Sequence, residues 1–407
     1  MKHIVTYIIL LSLTLTFSSC EFMFGTKKNS EVDDIFIQGN IDPNLAPSDV
    51  GYVPILPIWD DFQNPVDVFV GYDEMVYVVD DNGLHILDLK GQLHRTIKIP
   101  GATEVIQDRR IHTYVIGKAK VDVFGQEEEL TAVYHLKNTA TLNGPDFVDT
   151  LIHPFCDASR KIIPFRSEDR IVEFTGLAVL ADNTLYVSRK GSLYDPASSA
   201  RPDNTVLFFD EEGKNISYAK GLNPVTPNLK SSIGISSIAS FVGPPQKLYG
   251  VSTSPDFVIC QADQDKTIEF RVLWIREYSD PDAGINYAEN SELLVMDPNK
   301  ANGFLYEANK FKNPQDVYVA PDQTGYIFVV DSETDRFYQF TSKGLEGVPP
   351  PPNTSYVKNI KVSFGEEGAG LFQFDDPMGV CYFKKMIYIA DKNNNRVVRY
   401  RLNTDLE

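Results

Sequence analysis

The chain of 407 residues carries 38 Lys and Arg against 56 Asp and Glu, a formal net charge of −18, and no basic run follows Lys27-Lys28. Nucleic acid and anionic membrane surfaces need clustered cations, so neither partner is held by charge. With 43% hydrophobic and 12% aromatic residues, 25 Pro and 26 Gly, the composition favours strands and turns over helices, and the length suits one large all-β body.

The first element is an export signal. MKHIVTYIILLSLTLTFSSC has an early Lys, an apolar stretch from Ile4 to Phe17, two small residues and Cys20. The apolar stretch is too short to cross a bilayer comfortably as a helix. Phe17-Ser18-Ser19-Cys20 resembles a bacterial lipobox, with Phe17 where the pattern usually has Leu. The resemblance implies a signal peptide over 1–19, removed ahead of an acylated Cys20 whose chains hold the protein to a membrane without a spanning helix. Glu21, where Asp would favour inner-membrane retention, points to the outer membrane of a Gram-negative envelope. Residues 20–50, polar and interrupted by Pro43 and Pro47, read as a flexible tether, and the folded domain is expected over 51–407.

Beyond the tether the chain repeats. NPVDVFV at 64–70 returns as NPQDVYV at 313–319 and, loosened, as DPMGVCY at 376–382. The interval between the first two copies is about four times that between the last two. Each is followed by a second run of one type, MVYVVDD, YIFVVDS or MIYIADK, and TLYVSRK and KLYGVST fit the same template. These runs alternate with period two and use strand-favouring residues. A third run follows the turn, as in LHILDL, TVLFFD, FYQFT and VVRYRL. Five units begin near residues 64, 175, 236, 313 and 376, and a weaker sixth surrounds EVIQDRRIHTYVIGKAKVDVF. Short antiparallel units that cannot bury a core alone do so when stacked radially, which predicts a six-bladed β-propeller.

The stretch FGEEGAGLFQFDDPMGVCYFKKMIYIADKNNNRVVRY resembles an NHL repeat, and the match weakens through 313–344, 64–97 and 171–213. This resemblance implies an NHL/TolB-like propeller of six blades. The last unit supplies only three strands, at Met378–Phe383, Met386–Ala390 and Val397–Leu402. Tyr52 to Ile58, YVPILPI, is expected to pair with the terminal strand near Arg399 and close the ring, which removes a free edge.

Candidate functional residues fall in several groups. Asp80, Asp331 and Asp391 end the second runs, and Arg336 and Arg396 follow the latter two by five residues; hairpin bracing is the favoured role. Glu173, Asn64 and Asp376 stand near the inner-strand entrances, where a divalent cation such as Ca²⁺ in the central channel would take oxygen ligands. No aligned ligand set emerges, so no cofactor is expected and the metal remains the alternative. All six His lie within the first 153 residues, and structural roles are expected for them. Without Cys20, Cys156, Cys260 and Cys381 allow at most one disulfide, and buried thiols are the expected state of the last two. No GxSxG, HExxH or P-loop occurs.

Two insertions mark the recognition face: RKGSLYDPASSARPDN inside the third unit, and the stretch from about Ser279 to Lys312. Long loops on a rigid ring serve recognition. Arg189, Tyr194, Arg201 and Asp203 offer a planar cation, an aromatic face and a carboxylate. Phe304, Tyr306 and Phe311 either face the channel or pack beneath the loop. The expected function is a monomeric, lipid-anchored binding or scaffolding protein for a glycan, peptide or envelope protein. The alternative is a metal-dependent enzyme of the lactonase or lyase kind that shares the architecture.

Overall fold

A computed structural model describes residues 45, 47, 49–160, 165–191, 204–226, 228–282, 284–290, 307–352 and 358–406. The chain enters along β1 (Tyr52–Trp59). Blade 1 follows as β2 (Asp67–Val70), β3 (Val76–Asp80), β4 (Gly83–Leu87) and β5 (Leu93–Ile97). Blade 2 is β6 (Glu104–Gln107), β7 (Thr113–Val123), β8 (Gln126–Lys137) and β9 (Asp146–Ile152). Blade 3 is β10 (Glu173–Val179), β11 (Leu185–Lys190), β12 (Thr205–Phe209) and β13 (Asn215–Tyr218). Blade 4 is β14 (Ile235–Ser240), β15 (Phe257–Gln261), β16 (Val272–Asp280) and β17 (Gly284–Glu289). Blade 5 has β18 (Pro314–Val319), β19 (Ile327–Asp331) and β20 (Arg336–Phe340), and blade 6 has β21 (Pro377–Phe383), β22 (Met386–Asp391) and β23 (Arg396–Leu402).

Each sheet is antiparallel with neighbours in chain order, except that β1 completes blade 6 in the order β1-β23-β22-β21. The seam pairs Tyr52 with Leu402 and Ile55 with Arg399. First strands pack in a closed ring, β2 on β6, β6 on β10, β10 on β14, β14 on β18, β18 on β21 and β21 back on β2. The molecule is therefore an all-β, six-bladed propeller, and the expected closure by the N-terminal strand holds.

Middle strands such as VYVVD, IFVVD and MIYIAD are buried at every position. Their period-two pattern separates two kinds of apolar contact rather than core from solvent, because each blade is covered on both faces by its neighbours. Tyr382 of blade 6 stacks on Phe328 of blade 5 at 5.2 Å, and Tyr186 of blade 3 meets Phe257 of blade 4 edge-on at 5.6 Å. Each such ring contributes about 1.5–3 kcal/mol by leaving water. Outermost strands are wetter, as in LHRTI of β5 and DFVDTLI of β9. Blade 5 shows three strands among the described residues; Phe364 bridges to Phe337 of β20, and farther out Val348 bridges to Ile360. Part of the second expected insertion is regular: β16 runs to Asp280 and β17 forms the fourth strand of blade 4.

The first strands all begin at one mouth of the channel, termed the entry mouth. Turns from second to third strands open there too, so the chain leaves β11 at Gly191 and re-enters β12 at Asn204 on that side, where the Gly191 amide donates to Asn204 Oδ1 at 3.0 Å. Turns between first and second strands lie at the far mouth.

Candidate functional site

Six equivalent positions at the entry of the first strands precede Val68, Val105, Leu177, Ile238, Val317 and Val380. They are Asp67, Glu104, Gly176, Ser237, Asp316 and Gly379. Register shifts at Gly176, Ser237, Asp316 and Gly379 against the second strand are bulges, which re-aim side chains at a sheet end. The carboxylates reach across to the next blade. Asp67 Oδ2 accepts the Val105 amide at 2.7 Å, Glu104 Oε1 the Leu177 amide at 2.7 Å, and Asp316 Oδ2 the Val380 amide at 2.6 Å. Ser237 Oγ donates to Asp316 Oδ1 at 2.6 Å, and the Ser236 and Thr175 hydroxyls donate to the carbonyls of Pro314 and Ile235.

These groups form the floor of a cavity of about 410 Å³ that opens at the entry mouth. Its wall includes Thr103, Thr131, Glu173, Thr175, Ser236, Asn313, Gln315 and Met378, with Lys118 from the middle of β7 and Lys190 at the end of β11. Glu104 uses Oε1 on the Leu177 amide, and no hydrogen bond to Oε2 exists among the described residues. Burial raises all three floor carboxyls: Asp67 and Glu104 well above the usual carboxylate range and Asp316 up to about 6. Mutual repulsion adds to the rise at Asp67 and Glu104.

Below the floor the channel narrows to a bore of about 40 Å³ lined mainly by Val68, Phe69, Ile106, Leu177, Ile238 and Val242. Its end is closed by residues 241–256, the connection between β14 and β15. This connection is much longer than its counterparts at 71–75, 108–112, 180–184, 320–326 and 384–385. It is pinned across the far mouth by blades 2 and 5. Arg109 of blade 2 donates to Gln246 Oε1 at 3.3 Å, the Lys247 carbonyl at 3.3 Å and the Ala181 carbonyl of blade 3 at 3.1 Å. Gln246 Nε2 returns a bond to the Arg109 carbonyl at 3.1 Å, and Lys247 Nζ donates to the Pro321 carbonyl of blade 5. The channel is thus a blind well: polar at its mouth, acidic at its floor and apolar beneath.

The residues singled out from sequence lie elsewhere. Arg189 is 5% exposed inside the joint between blades 2 and 3, with Nη1 2.7 Å from Asp157 Oδ2. Phe311 is buried against Tyr338 and Phe340, at 5.1 and 5.9 Å. The structure does not bring the two together. Tyr194, Arg201, Asp203, Phe304, Tyr306 and Cys20 fall outside the described residues. Glu173 lines the cavity, whereas Asn64 bonds Asp81 and Asp376 pairs with Lys392. Among the described residues no group of His, Cys, Asp and Glu converges to hold a metal ion. The three turn carboxylates brace hairpins: Asp80 takes the Gln63 and Asn82 amides, Asp331 those of Lys312 and Asn313, and Asp391 the Asp375 amide and Arg396. His85 pairs with Asp80, and His153 with Asp169. Cys156, Cys260 and Cys381 are free thiols.

Sequence reading missed the floor. Its signal was available: NPVDV and NPQDV place an Asp inside an otherwise apolar strand entry twice, and a repeated carboxylate there marks a group the channel keeps.

Fold and cavity together define a β-propeller with one blind, polar channel mouth. No family model and no curated protein matches the chain. The PQQ-bound aldose sugar dehydrogenase of Streptomyces coelicolor is 10% identical with a TM-score of 0.49, over 88% of this chain and 100% of that one. A gluconolactonase from Xanthomonas campestris is 10% identical, TM-score 0.46, over 88% and 92%. Streptogramin B lyase is 10% identical, TM-score 0.42, over 87% and 98%. Likenesses this distant carry no argument about activity.

Proposed function

We propose that this chain is a lipid-anchored binding protein of the bacterial envelope, acylated at Cys20 and built on NHL-like blades, whose ligand site is the blind well. The observation that carries the reading is the well itself: about 410 Å³, closed beneath, with hydrogen-bonding side chains contributed by five of the six blades and Met378 by the sixth. That volume suits a small ligand or the end of a larger one. Floor acceptors call for donors, so the ligand brings hydroxyl or ammonium groups inward, as a saccharide or the amino end of a peptide does. Lys118 and Lys190 complement acidic or carbonyl groups left outside. The insertions at 192–203 and 291–306 start and end at this mouth, which supports a recognition role for Tyr194, Arg201, Asp203 and Tyr306.

The test is a glycan and peptide array probed with the protein and with Glu104→Gln. A hydrogen bond to a charged group contributes about 1.5–3 kcal/mol, so true ligands should weaken about 10- to 100-fold in the variant. Ligands held equally by both proteins would place recognition outside the well.

A further inference from the structure

We infer that the far mouth is the membrane-facing side, with Leu248 and Tyr249 seated in the lipid interface. This rests on the anchored reading above. The pair is 86% and 91% exposed, among the highest values for large apolar residues in the described chain. It stands on the 241–256 connection, whose base is fixed by Arg109, Gln246 and Lys247. A held base presents the two side chains outward at little cost in ordering. Leu142, 98% exposed, lies on the β8–β9 connection of the same mouth.

The path of the chain supplies the occupant. The body is entered at this mouth, where Tyr52 pairs with Leu402 and Asn403 clasps the incoming segment through the Pro47 and Asp49 carbonyls and the Gly51 amide. About thirty residues separate that clasp from Cys20. Acting as the flexible tether expected from its composition, a stretch of that length would span about 30 Å root-mean-square, so acyl chains at Cys20 would keep the far mouth near the bilayer and turn the well outward. Tyr suits the boundary, where an apolar body and a polar tip are both satisfied, and Leu suits its acyl side. Lys384 and Lys385 of the same mouth are paired with Glu74 and Asp405, and the chain is strongly acidic. The docking is therefore apolar insertion rather than charge attraction.

The full acylated chain is placed in phosphatidylethanolamine–phosphatidylglycerol vesicles carrying an environment-sensitive fluorophore at Tyr249→Cys or, as control, at Phe124→Cys. Phe124 is 87% exposed on the β7–β8 turn of the opposite mouth. Cys156→Ser removes the half-buried native thiol, which burial pushes up to about 12. The inference expects a brighter, blue-shifted emission at 249, quenched by brominated acyl chains and lost with Leu248→Ser, and an unchanged probe at 124. An unchanged probe at 249 on protein that floats with vesicles and carries an acylated Cys20 by mass spectrometry overturns the orientation and leaves the anchor intact. An unmodified Cys20 on protein that does not float removes the anchor and the inference together. A concentration-dependent shift without vesicles assigns the tip to a second copy, which also overturns it.

Discussion

Glu104→Gln should make the protein more stable at pH 8 and flatten its loss of stability above pH 5. Asp316 is held at about 6 rather than 3.8, a burden of about 3 kcal/mol at ~1.4 kcal/mol per unit; Asp67 and Glu104 are also raised. A carboxyl raised by folding binds its proton more tightly in the native state. Its contribution is complete below the unfolded value near 4 and is lost as pH rises through the native value, about 6 for Asp316; Asp67 and Glu104, raised as well, act in the same direction. In the variant the Gln oxygen keeps the Leu177 amide, while its N–H groups face two carboxylates instead of repelling them. A carboxyl raised by folding destabilises by about 1.4 kcal/mol per unit of its rise once ionised, so removing the charge of Glu104 should give a gain on the order of 1–3 kcal/mol at pH 8.

Urea unfolding from pH 5 to 8.5, wild type against variant, reads the difference directly. Asp157, Asp169 and Asp322 are lowered, so they are ionised in both states across this window. His112, His135 and His153, lowered mainly by burial, contribute with the opposite sign but equally in both proteins. Parallel curves, or a variant less stable at pH 8, would refute the account of the floor.

The remaining predictions concern the closing seam and the joint between blades 2 and 3. Arg399 is 2% exposed, its Nη2 donates to the Pro57 carbonyl at 2.9 Å and its guanidinium sits 4.3 Å from the Trp59 ring; burial lowers it to about 10. Trp59→Leu should cost about 2–4 kcal/mol in urea unfolding, and about 1–2 kcal/mol less in an Arg399→Met background, since the ring–cation term is then already absent; equal costs would mean that ring and cation do not couple across the seam. Arg189→Ala should cost about 3–5 kcal/mol at pH 7 by leaving Asp157 buried without its cation. Burial pushes that carboxyl up while Arg189 and Ser159 hold it below its ordinary value, so the cost should shrink in acid; a loss under about 1 kcal/mol would mean Arg189 does not hold the joint between blades 2 and 3.

Much of this was legible in the sequence, and the reasons differ by element. The closure was readable because a final unit of three strands needs a partner, and YVPILPI was the unassigned strand that could supply one. Blade 2 was faint because its first strand, EVIQ, has Glu104 where blades 1 and 5 have Asp and lacks the preceding Asn-Pro. The floor escaped because its carboxylates come together only through ring closure: Asp67 and Asp316 are separated by most of the chain, and no local spacing encodes their approach. Arg189 was misleading for a physical reason. A cation ahead of a long loop resembles a ligand contact, yet the blade 2–3 joint buries Asp157, which needs a cation of its own.

The six equivalent floor positions also bear on why the carboxylates are there. If bridging neighbouring blades were their whole purpose, every joint would need one, and the ring does not bear that out. Gly176 and Gly379 occupy the same position without a side chain, and a Cβ on Gly379 would lie 2.7 Å from Asp67 Cα. The joint between blades 6 and 1 is served instead by Cys381 Sγ, which accepts the Val70 amide at 3.3 Å. A carboxylate is thus not needed at every joint of the ring, and Asp67, Glu104 and Asp316, raised by burial and by one another, are costly ones to place at three of them. Groups that cost stability and are not required by the fold are the ones most economically explained by a task at the surface they line. Here that surface is the floor of the well, which Asp67, Glu104 and Asp316 line.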